Sequence, residues 1–252
     1  MLLQAFQLQV DFDRFRAVDG IDLCVDPGEI LGIAGTNGAG KSTLFGAIAG
    51  QIRPSGGSIR FADIDITRMS IHRRARLGLA RTFQVPREFG QLSVRENLLA
   101  AAHNDRNETL FAAWFERRAT TEADERLKHE ADRWLELTGL RQQADIAASR
   151  LSGGQKKLLE LSRALMTRPR CILLDEPFAG VNPVLIDRLI EVLREVHAQG
   201  IALVVIEHHL QALKSLVHRL LVMDQGRIIA QGAPEAVLSD PRVAEAYMGG
   251  MV

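Results

Sequence analysis

Cysteine, aromatic residues and long apolar runs are all scarce in this chain. Its 252 residues include only two cysteines, Cys24 and Cys171, which stand far apart and lack CxxC spacing. The pattern disfavours a disulfide or a zinc site and indicates two small buried side chains in a reducing compartment. Neither a membrane-spanning apolar run nor a basic, cleavable leader is present. We therefore expect a cytosolic protein that meets membranes only through partners.

An excess of charge of either sign is absent as well. Lys plus Arg and Asp plus Glu number 31 each, so the formal net charge at pH 7 is zero. The chain lacks the net basic field that drives non-specific binding to nucleic acid, so a local basic patch is the one alternative and we expect no nucleic-acid partner. The length allows one large α/β domain with a sizeable core.

Short apolar runs bounded by glycine, proline or charge predict buried parallel strands. They are GEILGIAG, RCILLDEP and GIALVVIEHH. Between the last two runs a helix is predicted, with Gly200 beyond its end. Its expected apolar face consists of Leu185, Leu189, Val192, Leu193 and Val196. The segment HRLLVMDQGRIIAQG predicts a hairpin around Asp224, Gln225 and Gly226.

Residues 85–150 carry helical patterns and no strand pattern. Ser93 and Glu96 form a capping-box sequence at the start of VRENLLAAAH, and Thr121 with Asp124 predicts the start of a second helix. The second helix has an apolar face formed by Ala123, Leu127, Ala131, Trp134 and Leu135. We therefore expect a helical subdomain at 85–150, inserted into a core formed by 1–84 and 151–252.

A glycine-rich loop lies between the first predicted strand and a helix. GTNGAGKS, at positions 35–42, fits the pattern G-x-x-x-x-G-K-[ST]. The glycines allow close backbone approach to phosphates, Lys41 reaches the β- and γ-phosphates, and Ser42 offers a hydroxyl to Mg²⁺. The predicted phosphate-binding set is Gly35, Asn37, Gly38, Ala39, Gly40, Lys41, Ser42 and Thr43.

Two carboxylates end the strand CILLDEP. Beside a phosphate loop, Asp175 is placed to anchor the water shell of Mg²⁺, and Glu176 is placed to accept a proton from an attacking water. The structural alternative for Glu176 is capping of the helix that follows. In VVIEHHL, a second apolar run is followed directly by polar residues, which raises the question of a metal site at His208 and His209. Adjacent side chains on an extended segment point in opposite directions, which disfavours two ligands to one ion.

The segment LSGGQ at positions 151–155 is a further motif, and together with those above it resembles the pattern of a known family. In chain order the motifs are the phosphate loop, Gln84, LSGGQ, LLDE and His208, and together they resemble the ATP-binding-cassette ATPases over essentially the whole chain. The resemblance implies a P-loop NTPase core, RecA-like with a mostly parallel sheet, an antiparallel β subdomain and an inserted helical subdomain. It also implies ATP and Mg²⁺ as cofactors and a head-to-tail dimer.

The resemblance assigns roles to individual residues. Lys41, Gln84, Glu176 and His208 match the catalytic set, and Ser42, Gln84 and Asp175 match the metal-binding set. Ser152, Gly153, Gly154 and Gln155 match the signature that closes over the γ-phosphate of the opposite protomer. Phe12 matches the aromatic that stacks on adenine, with Phe15 as a rival, and we expect one of the two to be ordinary core. His209 is expected to cap the next helix or face solvent, and Glu207 to be structural.

Further segments narrow the resemblance. DEPFAGVNP, IEHHL, RTFQVPREFGQLSVRENLLAA and GAPEAVLSDPRVAEAYMG resemble the longer kind of ATPase subunit in branched-chain amino acid importers. Relatives of that group serve urea, other amides, hydrophobic amino acids and lipopolysaccharide export. Asn182 departs from the aspartate usual at the dimer seam.

The subfamily resemblance also implies partners. They are a second copy or a related ATPase subunit, membrane permeases at the cytoplasmic face, and a periplasmic-type solute-binding protein. Pro86, Arg87 and Phe89 would face a short permease helix. The segment at 103–124 is either a solvated loop and helix or a functional insertion. A soluble cassette acting in DNA repair or translation and a regulatory module without turnover are the alternatives.

Overall fold

The computed structural model describes residues 1–82, 88–102 and 117–249, with the backbone alone for 117–123 and 249. The chain forms two compact units. The first comprises Met1–Gln84 and Pro169–Val252, and the second is Val85–Arg168.

Ten strands and nine helices are found in the described part of the chain. The strands are β1 (Leu3–Phe12), β2 (Phe15–Val25), β3 (Ile30–Gly35), β4 (Gly56–Phe61), β5 (Ile64–Asp65), β6 (Leu79–Arg81), β7 (Cys171–Asp175), β8 (Ala202–Ile206), β9 (Arg219–Asp224) and β10 (Arg227–Gly232). The helices are α1 (Lys41–Ala49), α2 (Ile71–Arg76), α3 (Val94–Ala101), α4 (Arg117–Leu137), α5 (Gly153–Leu165), α6 (Pro183–His197), α7 (Leu210–Leu216), α8 (Pro234–Leu238) and α9 (Pro241–Gly249).

A six-stranded sheet in the order β10-β9-β3-β8-β7-β6 forms the centre of the first unit. Every pairing is parallel except that of β9 with β10. Strands β3, β7 and β8 are buried along their whole length, which explains why they are continuous apolar runs without alternation. The carboxyl ends of these three neighbours meet at one edge, where the phosphate loop, the acidic pair and the histidine pair follow them in sequence.

A separate antiparallel sheet has the order β2-β1-β4-β5. Val10 pairs with Val18 and Asp11 with Arg16, so Ala17 is an extra residue in β2, a β-bulge. Ala17 and Val18 are consequently both buried, although they are consecutive in a strand. Together the two sheets confirm the mostly parallel core with an antiparallel β subdomain.

The ends of two elements in the first unit follow local sequence signals. The turn between β9 and β10 consists of Gln225 and Gly226, both with positive φ, as a two-residue hairpin turn requires. Helix α6 begins after Asn182, whose side chain accepts a hydrogen bond from the Leu185 backbone N–H at 2.9 Å. The buried face of α6 is Ile186, Leu189, Ile190, Val192, Leu193 and Val196. The expected face missed Ile186 and Ile190 and included Leu185, which is only half-buried, because the buried stripe follows the i, i+3, i+4, i+7 spacing that begins at Ile186.

In the described part of the second unit the α-helices are α3, α4 and α5. The capping box of Ser93 and Glu96 opens α3 as predicted. Helix α4 already includes Arg117, so the predicted start at Thr121 is wrong; the arginines and alanine upstream are good helix formers. Helix α5 packs against α3 and α4, and the Ser162 hydroxyl lies 3.0 Å from that of Thr138. Because α5 packs in this way, the second unit ends at Arg168, whereas the helical subdomain was expected to end at residue 150.

Both cysteines are free, Cys171 buried in β7 and Cys24 half-buried in β2. Burial raises the pKa of the Cys171 thiol to about 12, so the thiol is an inert core group. Among the residues that the structure describes, no helix combines the length and the apolar character needed to span a bilayer.

Candidate functional site

The phosphate loop runs from the end of β3 to the start of α1. Gly35 and Gly40 have φ of 149° and 96°, in the region that favours glycine. A Cβ on Gly35 would lie 2.2 Å from the carbonyl oxygen of Met223, and one on Gly40 would lie 2.2 Å from that of Ala17. Glycine is therefore required at both positions by the close passage of neighbouring backbone.

The neighbouring backbone also holds the loop. The N–H of Gly226 donates to the carbonyl of Ala39 at 3.1 Å, and the N–H of Asp19 donates to the carbonyl of Gly226 at 2.9 Å. The bulged Ala17 lies beside Gly40 and Gly226 at this crossing. The antiparallel sheet, the β9–β10 turn and the phosphate loop thus meet through main-chain contacts, which fix the loop before any ligand arrives.

Lys41 is buried at the first position of α1. Its Nζ donates to the carbonyl oxygens of Gly35 and Thr36, each at 2.8 Å. Burial lowers the pKa of Lys41, and the nearby carboxylates of Glu176 and Asp175 oppose that shift. The ammonium group is therefore held inside the loop by weak carbonyl partners, which phosphate oxygens would replace with stronger, charged ones.

A cavity of about 230 Å³ brings together the predicted phosphate-binding and catalytic side chains. It is lined by Ala17, Asn37, Gly38, Ala39, Gly40, Lys41, Ser42, Thr43, Glu176 and His208. Gly35, the remaining member of the predicted phosphate set, lies at the base of the loop. Cationic, hydroxyl and carboxylate groups therefore line one space beside the glycine-rich backbone and the start of α1.

Asp175, the last residue of β7, and Glu176, the next residue, contact different partners. Glu176 has a φ of 49°, and its Oε1 lies 2.7 Å from Nε2 of His208. Asp175 is 6% exposed, and its Oδ2 accepts a hydrogen bond from the Arg81 guanidinium at 2.8 Å. Asn182 caps the following helix, so the alternative of a helix-capping acidic pair is wrong.

The polar residues that follow β8, Glu207, His208 and His209, also make different contacts. Glu207 is 2% exposed and accepts hydrogen bonds from the backbone N–H groups of Phe178, His208 and His209. The Nδ1 of His209 accepts from the Ala212 N–H at 3.3 Å and caps α7. The structural role of Glu207 and the capping role of His209 are confirmed. No group of three metal-ligating side chains occurs in residues 1–82, 88–102 or 117–249.

The LSGGQ segment lies in the second unit, at the start of α5. The Ser152 side chain accepts from the Gln155 N–H at 3.3 Å, and Gln155 Oε1 accepts from the Ser152 N–H at 2.9 Å. This capping box places Gly153 and Gly154 in the first turn of a 13-residue helix. The first-turn N–H groups form the kind of anion site that a phosphate occupies.

Comparison with known proteins decides the family. A sequence model described as ABC transporter matches residues 18–179, which is more than half of the chain. The chain belongs to the ABC transporter family. A second model, described as branched-chain amino acid ATP-binding cassette transporter, matches residues 227–252 of the cassette, from β10 to the C-terminus.

Individual relatives resemble the cassette over nearly its whole length. The high-affinity branched-chain amino acid transport ATP-binding protein of Pseudomonas aeruginosa is 35% identical, with 98% of each chain covered. The lipopolysaccharide export system ATP-binding protein of Acidithiobacillus ferridurans is 36% identical, covering 98% of this chain and 97% of its own. A crystal structure of the ADP conformation of an ABC transporter cassette has a TM-score of 0.85, 35% identity and 98% coverage of both chains.

The two rival aromatics of the cassette flank the β1–β2 turn. Phe12 pairs directly with Phe15, and they are 48% and 64% exposed. The expectation that one of them is ordinary core is wrong, because the hairpin tip extends beyond the packed part of the antiparallel sheet. Two exposed rings are thus available at the edge of the cassette.

Some predicted residues of the cassette lie outside the described residues. These are Gln84, Pro86 and Arg87, together with most of the segment at 103–124. Phe89 is described; its side chain is half exposed, and the Arg163 guanidinium lies 4.9 Å from its ring centre.

Arg81 and Tyr247 are contacts of the site that sequence reasoning missed. Arg81 reaches Asp175 from the adjacent strand β6. Tyr247, on α9, has a buried phenol oxygen beside the backbone of Gly35; burial raises its pKa and the contact with Gly35 opposes the shift. Neither residue belongs to a motif, and only the sheet order and the docking of the last helix reveal them.

Proposed function

We propose that this cassette binds MgATP, hydrolyses it and thereby energises the uptake of branched-chain or other hydrophobic amino acids, or of related amides or urea, through partner permeases. The 230 Å³ cavity that joins Lys41, Glu176 and His208 at the phosphate loop supports the chemistry. The match of residues 227–252 to the branched-chain amino acid transporter model supports the substrate class.

The oxygen-donor side chains around the cavity suit Mg²⁺, which prefers hard oxygen ligands. Ser42 lines the cavity, and Asp175 presents a buried carboxylate at the end of the neighbouring strand. Ser42 and Asp175, with Gln84, would hold the ion. When bound, the ion would offset the negative charge of the β- and γ-phosphates.

Hydrolysis requires a base, a cation that stabilises the charge on the phosphate oxygens, and a contact that orients the reacting groups. Glu176 accepts the proton of the water that attacks the γ-phosphorus atom in line with the leaving ADP oxygen. Lys41 exchanges its carbonyl partners for phosphate oxygens and stabilises the charge that develops on them. His208, in close contact with Glu176 in the free protein, turns to the γ-phosphate and orients the reacting groups.

A second cassette would complete each site. The signature of Ser152, Gly153, Gly154 and Gln155 would close over the γ-phosphate held by the opposite protomer, in a homodimer or in a pair with a related ATPase subunit. Phe12 would stack on the adenine. The dimer would lie at the cytoplasmic face of the membrane, bound to permeases that receive solute from a periplasmic-type binding protein.

The test is reconstitution with candidate membrane permeases and a periplasmic-type solute-binding protein. We expect the cassette to copurify with a polytopic membrane protein and the ATPase rate of the complex to rise with leucine, isoleucine or valine. Stimulation by lipopolysaccharide instead would favour an exporter, since a relative with that name is 36% identical. Failure to associate with any membrane protein would contradict the transport proposal and favour a soluble cassette.

A further inference from the structure

A buried ion pair joins β6 to β7 directly beside the phosphate-loop helix. The Arg81 guanidinium lies 2.8 Å from Oδ2 of Asp175, and the two side chains are only 13% and 6% exposed. The other arm of the guanidinium donates to the side-chain oxygen of Gln51, and the group lies 5.9 Å from the ring centre of Phe45. The cation is therefore fixed on three sides, by a carboxylate, an amide and an aromatic ring.

We propose that Arg81 is the resident counter-ion of Asp175 and sets the magnesium affinity of the site, an inference that rests on the proposed function. The arginine takes one oxygen of the carboxylate, Oδ2, and leaves Oδ1 for the water shell of the ion. Since β6 and β7 are hydrogen-bonded neighbours, the sheet itself holds the arginine beside the carboxylate. Arg81 is thus a positioning residue that acts through Asp175.

The charge of Arg81 has a second consequence. A guanidinium next to the metal anchor cancels much of the attraction that Asp175 alone would exert on a divalent cation, and burial of the pair limits solvent screening. The site then needs the negative charge of nucleotide phosphates to retain the ion. Arg81 thereby makes metal binding depend on nucleotide and keeps the free cassette metal-poor.

Charge and shape can be separated by substitution. Arg81→Gln removes the charge and keeps a polar side chain that can reach Asp175, whereas Arg81→Lys keeps the charge and loses the fork that also contacts Gln51. If Arg81 only supports the fold, both changes lower the unfolding temperature without tightening metal binding. If Arg81 is the counter-ion, the two variants differ in metal affinity.

The experiment titrates Mn²⁺, as a paramagnetic substitute for Mg²⁺, into the full-length protein saturated with ADP and measures free Mn²⁺ by electron paramagnetic resonance. We expect Arg81→Gln to bind Mn²⁺ about tenfold more tightly than the wild type, because one unit charge a few ångströms away is lost. Arg81→Lys should stay near the wild-type affinity. Without ADP, Arg81→Gln should retain measurable Mn²⁺ binding that the wild type lacks.

Unchanged or weaker Mn²⁺ binding by Arg81→Gln, with normal binding by the wild type, would overturn the inference and leave the proposed function standing. Absence of Mn²⁺ binding by the wild-type ADP complex would overturn the proposed metal site itself, and the inference with it. If Arg81→Gln does not fold, Arg81→Met, which keeps apolar contact with Phe45, carries the same expectation. Failure of both to fold would make Arg81 a structural residue and contradict the proposal.

Discussion

The imidazole Nε2 of His208 lies 2.7 Å from Oε1 of Glu176, so residues beyond the ends of two adjacent parallel strands form a close carboxylate–imidazole contact. Glu176 is mostly buried, whereas the His208 side chain is 40% exposed. The left-handed backbone of Glu176 turns its side chain into the phosphate cavity. In the proposed mechanism, nucleotide binding exchanges this contact for contacts with water and the γ-phosphate.

The two adjacent histidines should respond differently to substitution by alanine. His208→Ala is expected to lower the kcat for ATP hydrolysis about 10² -fold, because an orienting contact to the reacting phosphate is lost. His209→Ala is expected to keep kcat and lower stability by about 1 kcal/mol, because it removes the cap of α7. ATPase assays and urea-unfolding midpoints measure the two effects. Loss of turnover in His209→Ala, with His208→Ala active, would reverse the assignment.

Phe12→Ala is expected to weaken ADP binding by about fivefold to tenfold, since an aromatic contact with the base is worth on the order of 1 kcal/mol. Phe15→Ala is the matched control, because Phe15 is its direct cross-strand partner and is also exposed. Isothermal titration calorimetry gives both dissociation constants. A loss confined to Phe15→Ala would make Phe15 the adenine contact.

Phe89→Asp is expected to abolish solute-coupled transport in the reconstituted complex while the isolated cassette keeps its basal ATPase rate. The ring is half exposed, and the new carboxylate would lie near Arg163, so the second unit should still fold. Phe6 on β1 is also an exposed phenylalanine, and Phe6→Asp serves as the control. The complex with this variant should transport normally. Coupled transport that survives Phe89→Asp would remove Phe89 from the permease contact.

Local signals in the sequence predict much of the fold because each reports on backbone chemistry nearby. The continuous apolar runs of β3, β7 and β8 follow from burial on both faces, and the capping box of Ser93 and Glu96 fixes the start of α3. The β9–β10 turn is equally local, since its two residues need positive φ. These features depend on neighbours within a few residues.

Contacts between distant segments could not be predicted in this way. Arg81 and Asp175 are 94 residues apart, and only the adjacency of β6 and β7 brings them together. The exposure of both Phe12 and Phe15 depends on how far the hairpin extends past the core, which periodicity does not report. Residue types identified the phosphate cavity, whereas the partners of its carboxylates required the tertiary structure.

The central claim, that Glu176 is the base for ATP hydrolysis at the phosphate cavity, is tested most directly by the turnover of Glu176→Gln. With MgATP, we expect kcat to fall about 10²- to 10⁴-fold while ATP binding is retained and a closed dimer accumulates. Glu195→Gln, at an exposed glutamate of α6, is the control and should match the wild type. Near-normal turnover by Glu176→Gln would contradict the account.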